Sequence, residues 1–348
     1  MKNARTLGLG LLLSFGLSAQ DVTVNSYTQT NLVSDQPGMA VTTEPLLVNP
    51  WGLSRPSSPN AGEAHWWAAD QKTGVSTLYN ADGTFIPLTI TIPPASGTGT
   101  GSPSGTVFSN KNFVFATLDG TISQWFAGTT PTKPGTGCFK CHTNTAVVMV
   151  NHSSTHASYT GITVANNGGV PTYYAANSNG GVEAYDASYN PVALAPGAFT
   201  DPKIPAGYTP FGVQSVGKRI YVTFFSIAQG VGGYVDAFDT TGKLLLRLQQ
   251  GWFDEPWGIA QAPANFGAFS GMLLVGNTGS GWIGAYSPST GKFQGFLNDA
   301  SGNAITNSGL WAISFGTGNV DAGPTNTLYF NAGIGNYAHG LFGAITAN

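Results

Sequence analysis

The sequence predicts an all-β fold, a six-bladed β-propeller whose ring is closed by an N-terminal strand in the last blade. Three observations carry this. Only 8% of the residues are charged, while the chain holds 48 glycines and 12% aromatics. A short anchor of a bulky or turn residue, a small residue and an aliphatic one recurs six times. A spare strand precedes the first anchor, and the last unit is one strand short. Few Lys and Glu beside many Gly, Thr, Val, Phe and Tyr favour short strands and tight turns over helices.

In chain order, residues 1–19 read as a signal peptide. Lys2 and Arg5 form a positive start, Leu7 to Leu17 an apolar run, and Ser18-Ala19 a small-residue cleavage site. The apolar run is too short for a spanning helix and no later run of about 20 apolar residues follows, so no membrane insertion is expected. Residues 20–348 are expected to form a single propeller domain, exported to a periplasmic or extracellular space.

The anchors are Pro50-Trp51-Gly52-Leu53, Ser104-Gly105-Thr106-Val107, Thr160-Gly161-Ile162, Pro210-Phe211-Gly212-Val213, Pro256-Trp257-Gly258-Ile259 and Leu310-Trp311-Ala312-Ile313. Spacings of about fifty residues suit four-stranded blades. The small residue in each anchor is expected to let neighbouring blades approach where a Cβ would clash. Strand, glycine turn and strand then mark a hairpin. Examples are Trp66–Asp70 through Gly74 to Val75–Asn80, Tyr173–Asn177 through Gly180-Gly181 to Val182–Asp186, and Leu273–Asn277 through Gly281 to Tyr286. The last unit stops after Leu341–Ile345, so the spare strand Tyr27–Leu32 is expected to complete it and leave no open edge. The tract from Pro93 to Gly105 and the stretch from Gly128 to Asn144 read as surface excursions.

Pro50-Trp51-Gly52-Leu53, Gly74–Asn80, Phe115–Trp125 and Gly340-Leu341-Phe342-Gly343 resemble an uncharacterised family of exported bacterial proteins, akin to NHL-type and SMP-30/lactonase-type six-bladed propellers. The resemblance spans nearly all of the mature chain. It implies the fold and export, and no reaction.

Two constellations could carry chemistry. The chain's two cysteines and a histidine form Cys138-Phe139-Lys140-Cys141-His142, the attachment sequence of a covalent c-type haem. Met149, His152 or His156 would supply a second axial ligand, and Trp125, Phe126 and Phe139 would cover the porphyrin. The alternatives are a Cys138–Cys141 disulfide, which export permits, free thiols, or a metal site with His152 or His156. The second constellation is Asp70, Asp119, Asn177, Asn277 and Asn331, each at the end of the second strand of its unit. Strand ends gather at one channel mouth, where these oxygens could hold Ca²⁺ or a polar ligand, as the lactonase resemblance implies. The alternative is that each caps its own turn.

Trp51, Phe211, Trp257 and Trp311 are expected to pack between blades, and His65 and His339 to be structural. Signatures of serine hydrolases, zinc proteases and phosphate loops are missing from the sequence, and Gly97–Gly101 reads as loop. A net charge of −3 without a basic stripe excludes a nucleic-acid footprint. The leading expectation is a non-catalytic, monomeric exported propeller that binds a small molecule or a partner protein at one channel face. The alternatives are an electron-transfer protein with haem c and a metal-dependent, lactonase-like hydrolase.

Overall fold

Each anchor opens a unit that folds as one antiparallel sheet, because alternating apolar strands separated by glycine and Asx turns can only pair with their sequence neighbours. The computed structural model describes residues 24–58, 60, 62–126, 144–228, 230 and 232–348. The signal-peptide reading and Cys138, Cys141 and His142 lie outside the described residues.

Two strands come first, β1 (Tyr27–Ser34) and the two-residue β2 (Thr42–Thr43). Blade 1 is β3 (Pro50–Ser54), β4 (Trp66–Asp70), β5 (Val75–Tyr79) and β6 (Phe85–Thr91). Blade 2 is β7 (Pro103–Ser109), β8 (Asn112–Thr117), β9 (Thr121–Phe126) and β10 (Val147–Asn151). Blade 3 has β11 (Tyr159–Asn167), β12 (Val170–Asn177) and β13 (Gly181–Tyr185). Its fourth strand is reduced to a Tyr185–Pro191 bridge, since Pro191 and Pro196 cannot donate to a ladder. Blade 4 is β14 (Thr209–Val216), β15 (Arg219–Phe225), β16 (Tyr234–Phe238) and β17 (Leu244–Arg247). Blade 5 is β18 (Pro256–Gln261), β19 (Leu273–Asn277), β20 (Ile283–Tyr286) and β21 (Phe293–Phe296). Blade 6 is β22 (Leu310–Phe315), β23 (Thr327–Ala332) and β24 (Leu341–Ala347), completed by β1. β1 pairs antiparallel with β24 from Tyr27–Ala347 to Ser34–Leu341. The expected closure is therefore present.

The anchors are the innermost strands, and they share one irregularity. In every blade the pairing of the first two strands slips by one residue across the anchor, as between Pro50 and Leu53, Pro210 and Val213, and Pro256 and Ile259. The same slip falls at Pro103/Thr106, Tyr159/Gly161 and Leu310/Ile313. A bulge bends the strand and re-aims the side chain that it carries.

The anchor glycines sit where the next blade's backbone passes. A Cβ on Gly52 would lie 2.6 Å from Thr106 N, one on Gly105 2.6 Å from Ile162 N, and one on Gly258 2.3 Å from Trp311 O. Packing outside the channel then divides into six apolar clusters, one at each junction between adjacent blades. The cluster joining blades 6 and 1 also includes the anchor tryptophans.

Candidate functional site

The channel has two different ends. At the start of the inner strands, the bulged residues of blades 1, 4, 5 and 6 are aromatic, and they meet across the axis. Trp51 stacks on Trp311 with centroids 3.7 Å apart, and Trp257 stands edge-on to both at 6.3 and 6.0 Å. Phe211, from the far side of the ring, reaches Trp51 at 6.2 Å and Trp311 at 5.8 Å. The sequence suggested wedges between blades; the bulges turn these rings inward to form a plug. Trp311 Nε1 donates to Asn49 Oδ1 at 2.9 Å, and Trp257 Nε1 to the Thr160 carbonyl at 3.0 Å. Blades 2 and 3 contribute Ser104 and Thr160 instead, whose hydroxyls donate to the neighbouring blades' Tyr159 and Pro210 carbonyls.

Around the plug stand the Asp and Asn residues singled out in the sequence, four of them held locally and Asn331 bonded across to blade 1. Asp70 Oδ2 accepts from the Thr77 amide at 3.0 Å and its hydroxyl at 2.7 Å, and burial pushes this carboxyl well above the ordinary carboxylate range. Asp119 Oδ2 accepts from the Ser102 amide at 2.6 Å. Asn177 Oδ1 accepts from the Ser158 and Asn179 amides, and Asn277 Oδ1 from the Asp254 amide. Asn331 Nδ2 donates to the Gly52 carbonyl at 2.9 Å, tying blade 6 to blade 1. Two buried oxygens of this set, Asp70 Oδ1 and Asn331 Oδ1, have no partner among the described residues. Ca²⁺ takes six to eight oxygens. Among the described residues no group of three or more His, Cys, Asp or Glu could hold a metal ion.

The candidate haem partners divide. Met149 lies exposed on β10, the outer strand of blade 2. His156 ends a short turn at φ 59°. His152 is engaged: its Nδ1 lies 2.9 Å from Tyr159 OH and 3.4 Å from Glu183 Oε2. Tyr159 and Tyr185 both donate to Glu183 Oε2, and Asn177 Nδ2 donates to Oε1. Burial opposes ionisation of Glu183, but these hydrogen bonds outweigh it and hold the carboxyl below its usual value. Nothing in the sequence spacing joined His152 to Asn177; the packing of blade 2 on blade 3 does. His65 is 2.7 Å from Asn80 Oδ1, and His339 pairs with Asp35 at 2.7 Å beside the closing strand.

Past the plug lies a throat of about 30 Å³, lined by Gly52, Gly105, Gly258 and their neighbours. It has room for one water. The throat widens at the other end into an open cavity of about 420 Å³ to which all six blades contribute, among them Arg55, Thr106, Ile162, Gln214, Gln261 and Phe315. The walls alternate apolar side chains with hydroxyls and amides. Arg55 lies over the Trp66 ring at 4.8 Å and donates through Nε and Nη2 to the Phe315 carbonyl, joining blade 1 to blade 6. Burial pulls its guanidinium down to about 10, which leaves it protonated at neutral pH.

No family model matches the chain. Among curated proteins it is similar to several from Acanthamoeba polyphaga mimivirus, including the following two. Uncharacterized protein R648 is 27% identical over 332 residues, covering 90% of this chain and 78% of the relative. Uncharacterized protein L690 is 25% identical over 335 residues, covering 90% and 84%. These relatives are viral, so they do not carry the bacterial origin that the sequence resemblance suggested. Among solved structures, the PQQ-bound aldose sugar dehydrogenase of Streptomyces coelicolor matches with a TM-score of 0.51 at 13% identity, over 93% of this chain and 99% of that one. Virginiamycin B lyase of Staphylococcus aureus matches at 0.50 and 11% identity, over 92% and 99%. The likeness is one of fold.

Proposed function

We propose that this protein is a non-catalytic binding propeller that takes a small molecule in the open channel mouth, and that it works outside the cytoplasm as a monomer. The observation that carries the reading is the asymmetry of the channel. One end is filled by stacked aromatics, while the other offers about 420 Å³ that every blade helps to line. A concave site whose walls mix apolar side chains with hydroxyls, amides and one guanidinium suits a small ligand. Export rests on the leader features around Lys2, Arg5 and Ser18-Ala19. The dehydrogenase and lyase neighbours share only the fold, and a fold hosts many functions. A lactonase-like reaction would need Asp70 and Asp119 as metal ligands, whereas Thr77 and Ser102 hold them.

The test is a thermal-shift screen of small molecules against the mature protein and a Gln214→Trp variant, which fills the mouth from an exposed position. Hits that stabilise the first and not the second support the reading. Hits that stabilise both equally place binding elsewhere and overturn it.

A further inference from the structure

The open mouth carries a single charge. Of all its lining residues Arg55 alone is ionisable, and no carboxylate among the described residues pairs with it. The guanidinium is nonetheless largely withdrawn from water, pressed on Trp66 and closed on one edge by the Phe315 carbonyl. A guanidinium has five N–H donors. One carbonyl occupies the Nε–Nη2 edge, so Nη1 and the second Nη2 hydrogen are left over. Nη1 makes no hydrogen bond to the described residues and is not among the fully buried polar atoms that lack a partner, so it is reachable from outside, and Arg55 lines the mouth. Elsewhere around the mouth, the side chains of Gln214 and Ser314 make no hydrogen bond to the described residues, while Gln261 spends its amide nitrogen on the Gly271 carbonyl at 2.6 Å and keeps its oxygen. The remaining wall mixes hydroxyls, from Ser54, Thr106 and Ser215, with the partly exposed apolar side chains of Val107, Val164 and Val216.

We infer that the mouth recognises a small organic monocarboxylate, its carboxylate held end-on by Arg55 and its apolar body laid against Val107, Val164 and Val216. The inference rests on reading the mouth as the binding site, and names its ligand class. A half-desolvated cation is costly unless an anion meets it. The free fork of a guanidinium matches the two oxygens of a carboxylate. One positive charge balances a monoanion, whereas a phosphate dianion would bring a second charge that no other lining residue matches.

The experiment uses two matched pairs, phenylacetate with phenylacetamide and hexanoate with hexanamide, titrated into the mature protein. The readout is the Nε–H resonance of Arg55 in a nitrogen–proton spectrum. The chain has only four arginines, Arg5, Arg55, Arg219 and Arg247, so this signal is assignable by its loss in Arg55→Lys. The expected result is that each acid moves the Arg55 signal and binds at least about tenfold tighter than its amide, a preference lost in Arg55→Gln. Because the acid–amide comparison is made on the unaltered protein, it stands even if the Arg55 variants fold poorly. Equal binding of acid and amide, blocked by Gln214→Trp, overturns the carboxylate inference and leaves the mouth as the binding site. Binding that Gln214→Trp does not reduce overturns both. No binding by either acid overturns the inference, and the hits of the thermal-shift screen then decide the mouth reading separately.

Discussion

The two ends of the channel are built from the same six strands and have opposite characters. Residues at the bulge decide the plugged end: Trp51, Phe211, Trp257 and Trp311 fill the axis, and Ser104 and Thr160 bond the neighbouring blade's backbone. Residues four positions later decide the open end, where Arg55, Ser215, Gln261 and Phe315 surround a cavity. The lesson is that side-chain size at one register divides structural from binding surface. Between the two, the glycine ring sets how tightly the blades close.

The contrast breaks most severely if that ring is forced open. Gly258→Val places a side chain against the Trp311 carbonyl, 2.3 Å from where its Cβ would sit. A loss of about 3 kcal/mol or more is expected, because two backbones must part. Urea denaturation should show it, or the protein should fail to accumulate.

Removing the plug should cost comparably and leave binding alone. Trp311 is 3% exposed, stacked on Trp51 and bonded to Asn49. Trp311→Ala should lose about 3–5 kcal/mol of stability. If ligands found in the screen bind this variant with unchanged affinity, the two ends are independent; a parallel loss of affinity would show them coupled.

A control lies in the body of blade 4. Burial pushes the Asp236 carboxyl up to about 6, although Arg247 at 3.0 Å and its hydrogen bond pull the other way. The folded chain therefore keeps this proton to a higher pH than the unfolded chain, whose Asp releases it near about 3.9. Stability from this group is fully present below about pH 4, falls as pH rises towards about 6, and is flat above. The change is on the order of 3 kcal/mol. Melting curves of the wild type and Asp236→Asn across pH 4–7 should differ in slope over that window. Mouth binding in Asp236→Asn at pH 7.5 should be unaltered.

The smallest stability effects belong to the open end. Gln214→Ala should move stability by no more than about 0.5 kcal/mol, because an exposed side chain that makes no hydrogen bond to the described residues is removed. It should nevertheless weaken binding, which sharpens the difference between the ends. Replacing Cys138 and Cys141 with Ser should leave mouth affinity unchanged. The strands that flank residues 127–143 are β9 and β10, the outer pair of blade 2, on the rim and not the axis. Titration of a screening hit against both proteins checks this, and a visible spectrum of the wild type expressed with a haem-attachment system tests the haem motif by itself.

The fold was largely legible because repetition is a sequence property. Gly52, Gly105, Gly161, Gly212 and Gly258 announce both the blade period and the close approach, and the unpaired Tyr27–Leu32 announces the closure. Asp70 and Asn177 could be read as caps of their own hairpins from local turn chemistry. What could not be read was direction. A one-residue slip leaves no compositional trace, yet it turns Trp51 and Trp311 from blade packing to the axis. Arg55 went unnoticed because a lone arginine after a strand reads as surface. Its signal was the register it shares with Ser215, Gln261 and Phe315, each three residues after the small residue of an anchor. The network of His152, Tyr159, Glu183 and Asn177 needed the contact of two blades, which periodicity does not specify.

The completion of blade 6 by β1 has a temporal meaning. During synthesis β1 emerges before all five complete blades, yet its partner β24 is made last. For that whole interval Tyr27–Ser34 is a strand without a sheet, and it must neither pair with a wrong edge nor recruit another chain. Closing the ring also brings together residues about as far apart as the chain allows, the slowest kind of encounter in folding. The joint that seals the finished ring is thus the most exposed moment in its making.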